Sequence, residues 1–165
     1  MTVPPLSKQR LAKLPALTDT VLDNGLRVLA VRRPGVPLVE LRLRIPMATP
    51  TGARGPAHVA KTTLMTDTLL SGTAERDAAE TAIALQAIGA QLSASADADR
   101  LGIAASVLSS GLDALLGLVG EILTSASFPK HEVEGERDRL VQELAIHRSN
   151  AGVVAREALM ARMYG

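Results

Sequence analysis

The segment Val39-Glu40-Leu41-Arg42-Leu43-Arg44-Ile45 alternates strictly between apolar and charged side chains. A period of two sends one set to each face of a strand, so this stretch suits a β-strand with one buried and one wet face. Strands of that kind belong to antiparallel sheets, because the strands of parallel sheets are apolar on both sides. The rest of the chain must therefore cover one side of such a sheet.

Other segments supply a hairpin and the helices. In Thr20 to Val31, the pair Asn24-Gly25 separates two apolar runs, which predicts a hairpin whose tight turn takes positive φ at both central residues. Pro34 and Gly35 end the second strand, and Pro46 to Gly55 reads as a loop. A helix is expected from Pro56, where the missing amide proton costs nothing, to about Leu70. A second is expected from about Arg76 to Ile88, closed by Gly89. Strands near Gln91–Ala96 and Leu101–Val107 follow, around a polar turn at Ala96 to Asp99. Leu112, Leu115, Leu116, Val119, Ile122 and Leu123 then trace the apolar spacing of an amphipathic helix. A charged helix from about His131 to Arg148 carries the stripe Val133, Leu140 and Leu144, and a last helix spans about Val153 to Met163.

This order gives an α+β domain, a mainly antiparallel sheet with helices packed on one face. Residues 1–17, rich in Pro and Lys, read as an irregular arm, and residues 18–165 as the domain. The chain ends inside a helical region, so the domain is expected to be incomplete at its C-terminal end. Truncation predicts uncovered apolar faces on the helices near Leu112–Leu123 and Val153–Met163, and hence self-association or binding of an apolar probe.

Composition excludes several classes. Without cysteine there is no disulfide scaffold, thiolate metal site or cysteine nucleophile. One Tyr and one Phe leave no stacking platform for single-stranded nucleic acid. A net charge of +1 gives no field for DNA or anionic lipid. The longest uncharged apolar run, Leu101 to Leu112, falls short of the roughly 20 residues that span a bilayer. No signal peptide is recognisable, so a soluble chain in the cytoplasm is expected, with neither nucleic acid nor membrane as a partner.

Few residues could carry chemistry. His58 lies near the start of its helix, with Lys61 and Thr62 at i+3 and i+4, where a second ligand would have to stand. A hydroxyl is a poor zinc ligand and an ammonium repels a dication. Glu136, Glu143 and His147 share one helical stripe. That stripe suits either a solvated face with a Glu143–His147 pair or the remnant of a carboxylate metal site. Glu121, Glu132 and Glu134 read as surface charges. Phosphate loops and serine elbows do not occur.

Taken in order, these segments resemble the N-terminal domain of the insulinase, pitrilysin and mitochondrial processing peptidase family. The matching pieces are Leu22-Asp-Asn-Gly-Leu-Arg-Val28, Gly55-Pro-Ala-His58, Leu69-Leu-Ser-Gly-Thr73, Gln91-Leu-Ser-Ala94, Phe128-Pro129, Glu136-Arg137, Gln142-Glu143-Leu144 and Met163-Tyr-Gly165. Active members carry the inverted zinc motif His-x-x-Glu-His. Its histidines and a distant glutamate hold zinc, and its glutamate activates water. The resemblance places the first histidine on His58, the distant ligand on Glu143 and its acidic neighbour on Glu136. It puts Lys61 at the general base and Thr62 at the second histidine. Ser93 and Ala94 fall on the strand that pairs with substrate backbone.

A lysine protonated at neutral pH takes no proton from water. The resemblance therefore implies a pseudo-peptidase with no cofactor expected, serving as partner subunit of an active zinc peptidase in a heterodimer. It would contribute chamber wall and peptide contacts. The partner is either that subunit or the missing C-terminal part of the same protein. Two alternatives stand beside it. One is a zinc peptidase with an unusual site using His58, Glu143 and Glu136. The other is a structural or interaction module of the same fold.

Overall fold

The computed structural model describes residues 15–47, 56–97 and 99–164. These fall into two compact units that divide after Pro37. The first is a hairpin of β1 (Leu17–Val21) and β2 (Arg27–Val31), antiparallel with Leu17 opposite Val31 and Val21 opposite Arg27. Its turn differs from the expected one. Gly25 N–H donates to the Leu22 carbonyl at 2.8 Å, and only Gly25 takes positive φ, at 83°. That is a three-residue loop in which a tight turn is followed by one left-handed residue, so Asn24 needs no left-handed backbone. Its side chain instead accepts from Leu26 N–H at 3.0 Å. Of the expected N-terminal arm, residues 1–14 lie outside the described residues, and β1 already begins at Leu17.

The second unit holds β3 (Leu38–Pro46), α1 (Pro56–Thr68), α2 (Ala78–Ala87), β4 (Gln91–Ala96), β5 (Arg100–Leu108), α3 (Leu112–Ser125), α4 (Lys130–Arg148) and α5 (Ala151–Tyr164). The loop expected at Pro46 to Gly55 lies largely outside the described residues. Its three strands form an antiparallel sheet in the order β3-β5-β4. The register sets apolar against apolar on one face. Leu41 and Leu92 both oppose Ala105, and Leu43 and Ala94 both oppose Ile103. The other face carries Glu40, Arg42 and Arg44 on β3, all exposed, so the alternation of the sequence is realised along the whole strand.

Helices cover the apolar face. Leu69 at the end of α1 packs with Leu101, Ile103 and Ile122. Leu115 and Val119 of α3 pack with Ala105 and Val107 of β5. On α3 the buried residues are Leu115, Leu118, Val119 and Ile122. Leu116, expected in that stripe, is 46% exposed, and Leu118 takes the inward place. At 100° per residue, position 116 lies far from the line through 115, 119 and 122, whereas 118 lies beside it. The face expected to be left bare on α3 is therefore covered. On α5 it is open, with Val154, Leu159, Met160, Met163 and Tyr164 all exposed. Leu144, expected in the apolar stripe of α4, is also exposed, while Val133 and Leu140 are half-buried.

The second helix begins later than the sequence suggests, because Asp77 caps it. Its carboxylate accepts from Glu80 N–H at 2.8 Å, and Glu80 accepts from Asp77 N–H at 3.0 Å, a reciprocal capping box. Arg76 is thereby left outside the helix, where it pairs with Glu121 of α3. Thr73 Oγ1 donates to the same carboxylate at 2.6 Å and accepts from Glu75 and Arg76 N–H. These bonds hold the Glu121 carboxyl below the usual glutamate range, the Thr73 hydroxyl contributing most. Glu121 is thus no plain surface charge. It fastens α3 to the loop after α1. Glu132 and Glu134 do stay at the surface, beside His131 and Lys130. Within the same loop Gly72 permits a close crossing, since a Cβ there would lie 3.2 Å from Ser127 Oγ and 3.3 Å from the Arg76 carbonyl.

Candidate functional site

The residues singled out in the sequence gather around α1, α4 and β4. On α1, Thr62 and Thr66 are buried at the helical spacing of one inward stripe, which His58 begins half-buried and Leu69, just past the helix, continues. Thr66 satisfies its hydroxyl by donating to the Thr62 carbonyl at 2.8 Å. Thr62 is only 4% exposed, so this position faces the interior, whereas Lys61 beside it is exposed.

Across from α1, helix α4 presents Glu136 and Glu143, and Arg139 stands between them. Arg139 Nε–H donates to Glu136 Oε2 at 2.8 Å, and its terminal nitrogens pair with Glu136 Oε1 and Glu143 Oε1. The same guanidinium lies 3.9 Å from Asp67 Oδ2 on α1. Glu143 thus turns back to Arg139, and the expected Glu143–His147 pair does not form. A guanidinium at i+3 from one acid and i−4 from the other can reach both, and its planar fork matches carboxylate geometry.

The electrostatics follow from these contacts. Hydrogen bonds from Arg139 hold the Glu136 carboxyl below the usual glutamate range. The Asp67 carboxyl is pushed above the usual aspartate range, first by burial and next by the negative charge of Glu136, to which it also hydrogen-bonds. Two acids in contact here divide their roles, with Glu136 the ionised member and Asp67 the one that keeps its proton longer. Among the described residues, no three His, Asp or Glu side chains converge so that they could hold a metal ion.

A cleft of about 370 Å³ opens between these helices and the sheet, lined by Thr66, Asp67, Leu70, Leu92, Ser93, Ala94, Glu136 and Arg139. Ser93 and Ala94 bring β4 to it. In the sheet this strand pairs only with β5, which leaves its other edge without a strand partner among the described residues. The Ser93 hydroxyl donates to the Ala104 carbonyl at 3.4 Å, and Ala94 packs into the core. The structure therefore places Glu136 with Ser93 and Ala94 at one cleft, and adds Asp67 and Arg139, which sequence reasoning did not single out. The spacing of Arg139 between two glutamates was a usable signal. Asp67, which meets them across two helices, gave none.

The antiparallel sheet is thus covered by helices on one face, with α4 and its glutamates lying against the helix that bears His58. The chain belongs to the insulinase family (peptidase family M16), whose family model matches residues 53–165. In fold it is similar to a peptidase M16 inactive domain from Pseudomonas fluorescens, with a TM-score of 0.78 and 24% identity. That match covers 90% of this chain and 36% of the other. It is also similar to a protease from Helicobacter pylori, with a TM-score of 0.67 and 21% identity over 81% of this chain and 32% of the other. The chain thus spans about a third of each of these neighbours. None of the curated proteins matches it significantly in sequence. No helix among the described residues is long and apolar enough to cross a membrane.

Proposed function

We propose that this chain is a non-catalytic member of its family, a pseudo-peptidase that contributes peptide contacts and chamber wall beside an active zinc-bearing subunit. The observation that carries the reading is the pair Lys61 and Thr62, which stand where the family motif has its general base and second histidine. Zinc wants neutral imidazole and carboxylate donors in an open tetrahedral set. The residues here do not fit it, since position 61 offers an ammonium and position 62 a buried hydroxyl. The carboxylates of Glu136 and Glu143 are also engaged by Arg139. The Pseudomonas neighbour, described as an inactive domain, supports the same reading.

Peptide contact falls to the cleft and to the open edge of β4, where an extended chain could add a strand at Ser93 and Ala94. Zinc content after dialysis against a mild chelator is the first test, with near zero per chain expected. Peptidase activity is expected to be absent alone, and the cleavage rate of a family member bearing an intact His-x-x-Glu-His should rise when this chain is added. One zinc per chain, or chelator-sensitive cleavage that vanishes in His58→Ala, would replace this reading with the unusual-site peptidase. A partner peptidase that works equally well without the chain would leave an interaction module.

A further inference from the structure

The cleft between α1 and α4 already contains a cation of the protein's own. We propose that the guanidinium of Arg139 is the resident counter-charge of this cleft, binding Glu136 and Glu143 in the way a metal ion would bind carboxylates and tying α4 to α1 through Asp67. The proposal rests on the non-catalytic reading above and says what has taken the place of zinc chemistry in this chain.

Three observations carry it. Arg139 engages Glu136 with two nitrogens, one of them Nε at 2.8 Å, the fork-to-fork arrangement in which an arginine binds a carboxylate best. A further nitrogen holds Glu143, so one side chain ties both acidic positions of the helix. The Glu136 side chain is only 18% exposed, which shields this pair more than an ordinary surface pair. A third carboxylate is not needed to balance the charge, since Glu136 and Glu143 already outnumber the single guanidinium. Asp67 Oδ2, 3.9 Å from the guanidinium, is the link that reaches the other helix.

A fixed guanidinium differs from a metal in what it permits. It saturates carboxylate oxygens without offering an open coordination position, so it can neither polarise a carbonyl nor activate water. The cleft keeps a cation between its carboxylates while the chemistry is absent.

The test uses the full chain and thermal unfolding of four forms: the natural sequence, Arg139→Gln, Glu136→Gln and the double variant. Arg139→Gln is expected to lower Tm by about 2–4 °C, and by less than half as much in the Glu136→Gln background. If Arg139→Gln does not fold, Arg139→Lys, which keeps the charge but loses the fork, reads the same coupling at roughly half the size. Excess zinc or a chelator should leave the natural sequence within about 1 °C. Additive losses, or no loss in Arg139→Gln, with zinc still without effect, would overturn this inference and leave the pseudo-peptidase reading standing. A clear rise in Tm with zinc would overturn both.

Discussion

Replacing Gly111 by alanine should destabilise the protein, while the same replacement at Gly117 and Gly120 of α3 should stabilise it. A Cβ on Gly111 would lie 2.8 Å from Val107 Cγ2 and 3.4 Å from both Ile88 Cβ and the Ile88 carbonyl oxygen. Val107 is fully buried and β-branched, so its methyl cannot turn aside without leaving a staggered rotamer. Overpacking of this kind costs about 1–3 kcal/mol. The gain from stiffening the unfolded chain is only about 0.4–1 kcal/mol, and with φ at −97° the backbone itself raises no objection. Around Gly117 and Gly120 nothing lies within 4 Å, so alanine there keeps its full helical advantage of about 0.5–1 kcal/mol. For a chain of this size these energies correspond to a Tm about 3–6 °C lower for Gly111→Ala and about 1–3 °C higher for each of the others. Thermal unfolding followed by far-ultraviolet circular dichroism would read all three. A Gly111→Ala variant melting at or above the natural sequence would refute the packing of α3 onto β5 on which this reasoning depends.

Leu115→Ala removes a side chain with no exposure at all and should cost about 2–5 kcal/mol, whereas Leu116→Ala should cost under about 1 kcal/mol. Equal losses in urea titration would mean that the inward stripe has been misplaced. Glu121→Gln tests the contact between α3 and the Thr73 loop through pH. The folded carboxyl lies below its ordinary value, so its contribution is present above about pH 4.5 and is lost as pH falls through the folded value. The natural sequence should therefore melt higher than Glu121→Gln at neutral pH, and the two curves should converge under acid. A gap that does not narrow at all as pH falls below about 4.5 would assign the effect to shape rather than to charge.

How much could be foreseen depended on whether the governing contact was local. β3 was legible because its alternation is a property of neighbouring residues, and Gly89, with φ at 62°, closes α2 as its position implied. The start of α2 was misjudged because Asp77 and Glu80 form a box whose members also pass as ordinary surface acids. Leu116 and Leu118 are the same residue type and differ only in angle, so counting apolar residues could not separate them. The site shows the same limit. His58, Glu136 and Glu143 stood out by residue type and spacing, and they and Thr62 were given roles through resemblance to a motif, which records which side chains stand where. The motif is silent on what they touch. That Arg139 would take both glutamates was hinted at by spacing, and that Asp67 would join them required the packing of two helices far apart in the chain.

Asp67 also makes the cleft a source of protons. The Arg139–glutamate clamp lies wholly on α4, so parting α4 from α1 leaves the clamp intact and breaks its link to Asp67. Its carboxyl would then return from the elevated value of the closed cleft to that of an ordinary aspartate, releasing hydrogen ion at any pH between the two. A peptide or subunit that wedges these helices apart should accordingly bind with a heat that depends on the ionisation enthalpy of the buffer. One that docks without parting them should not.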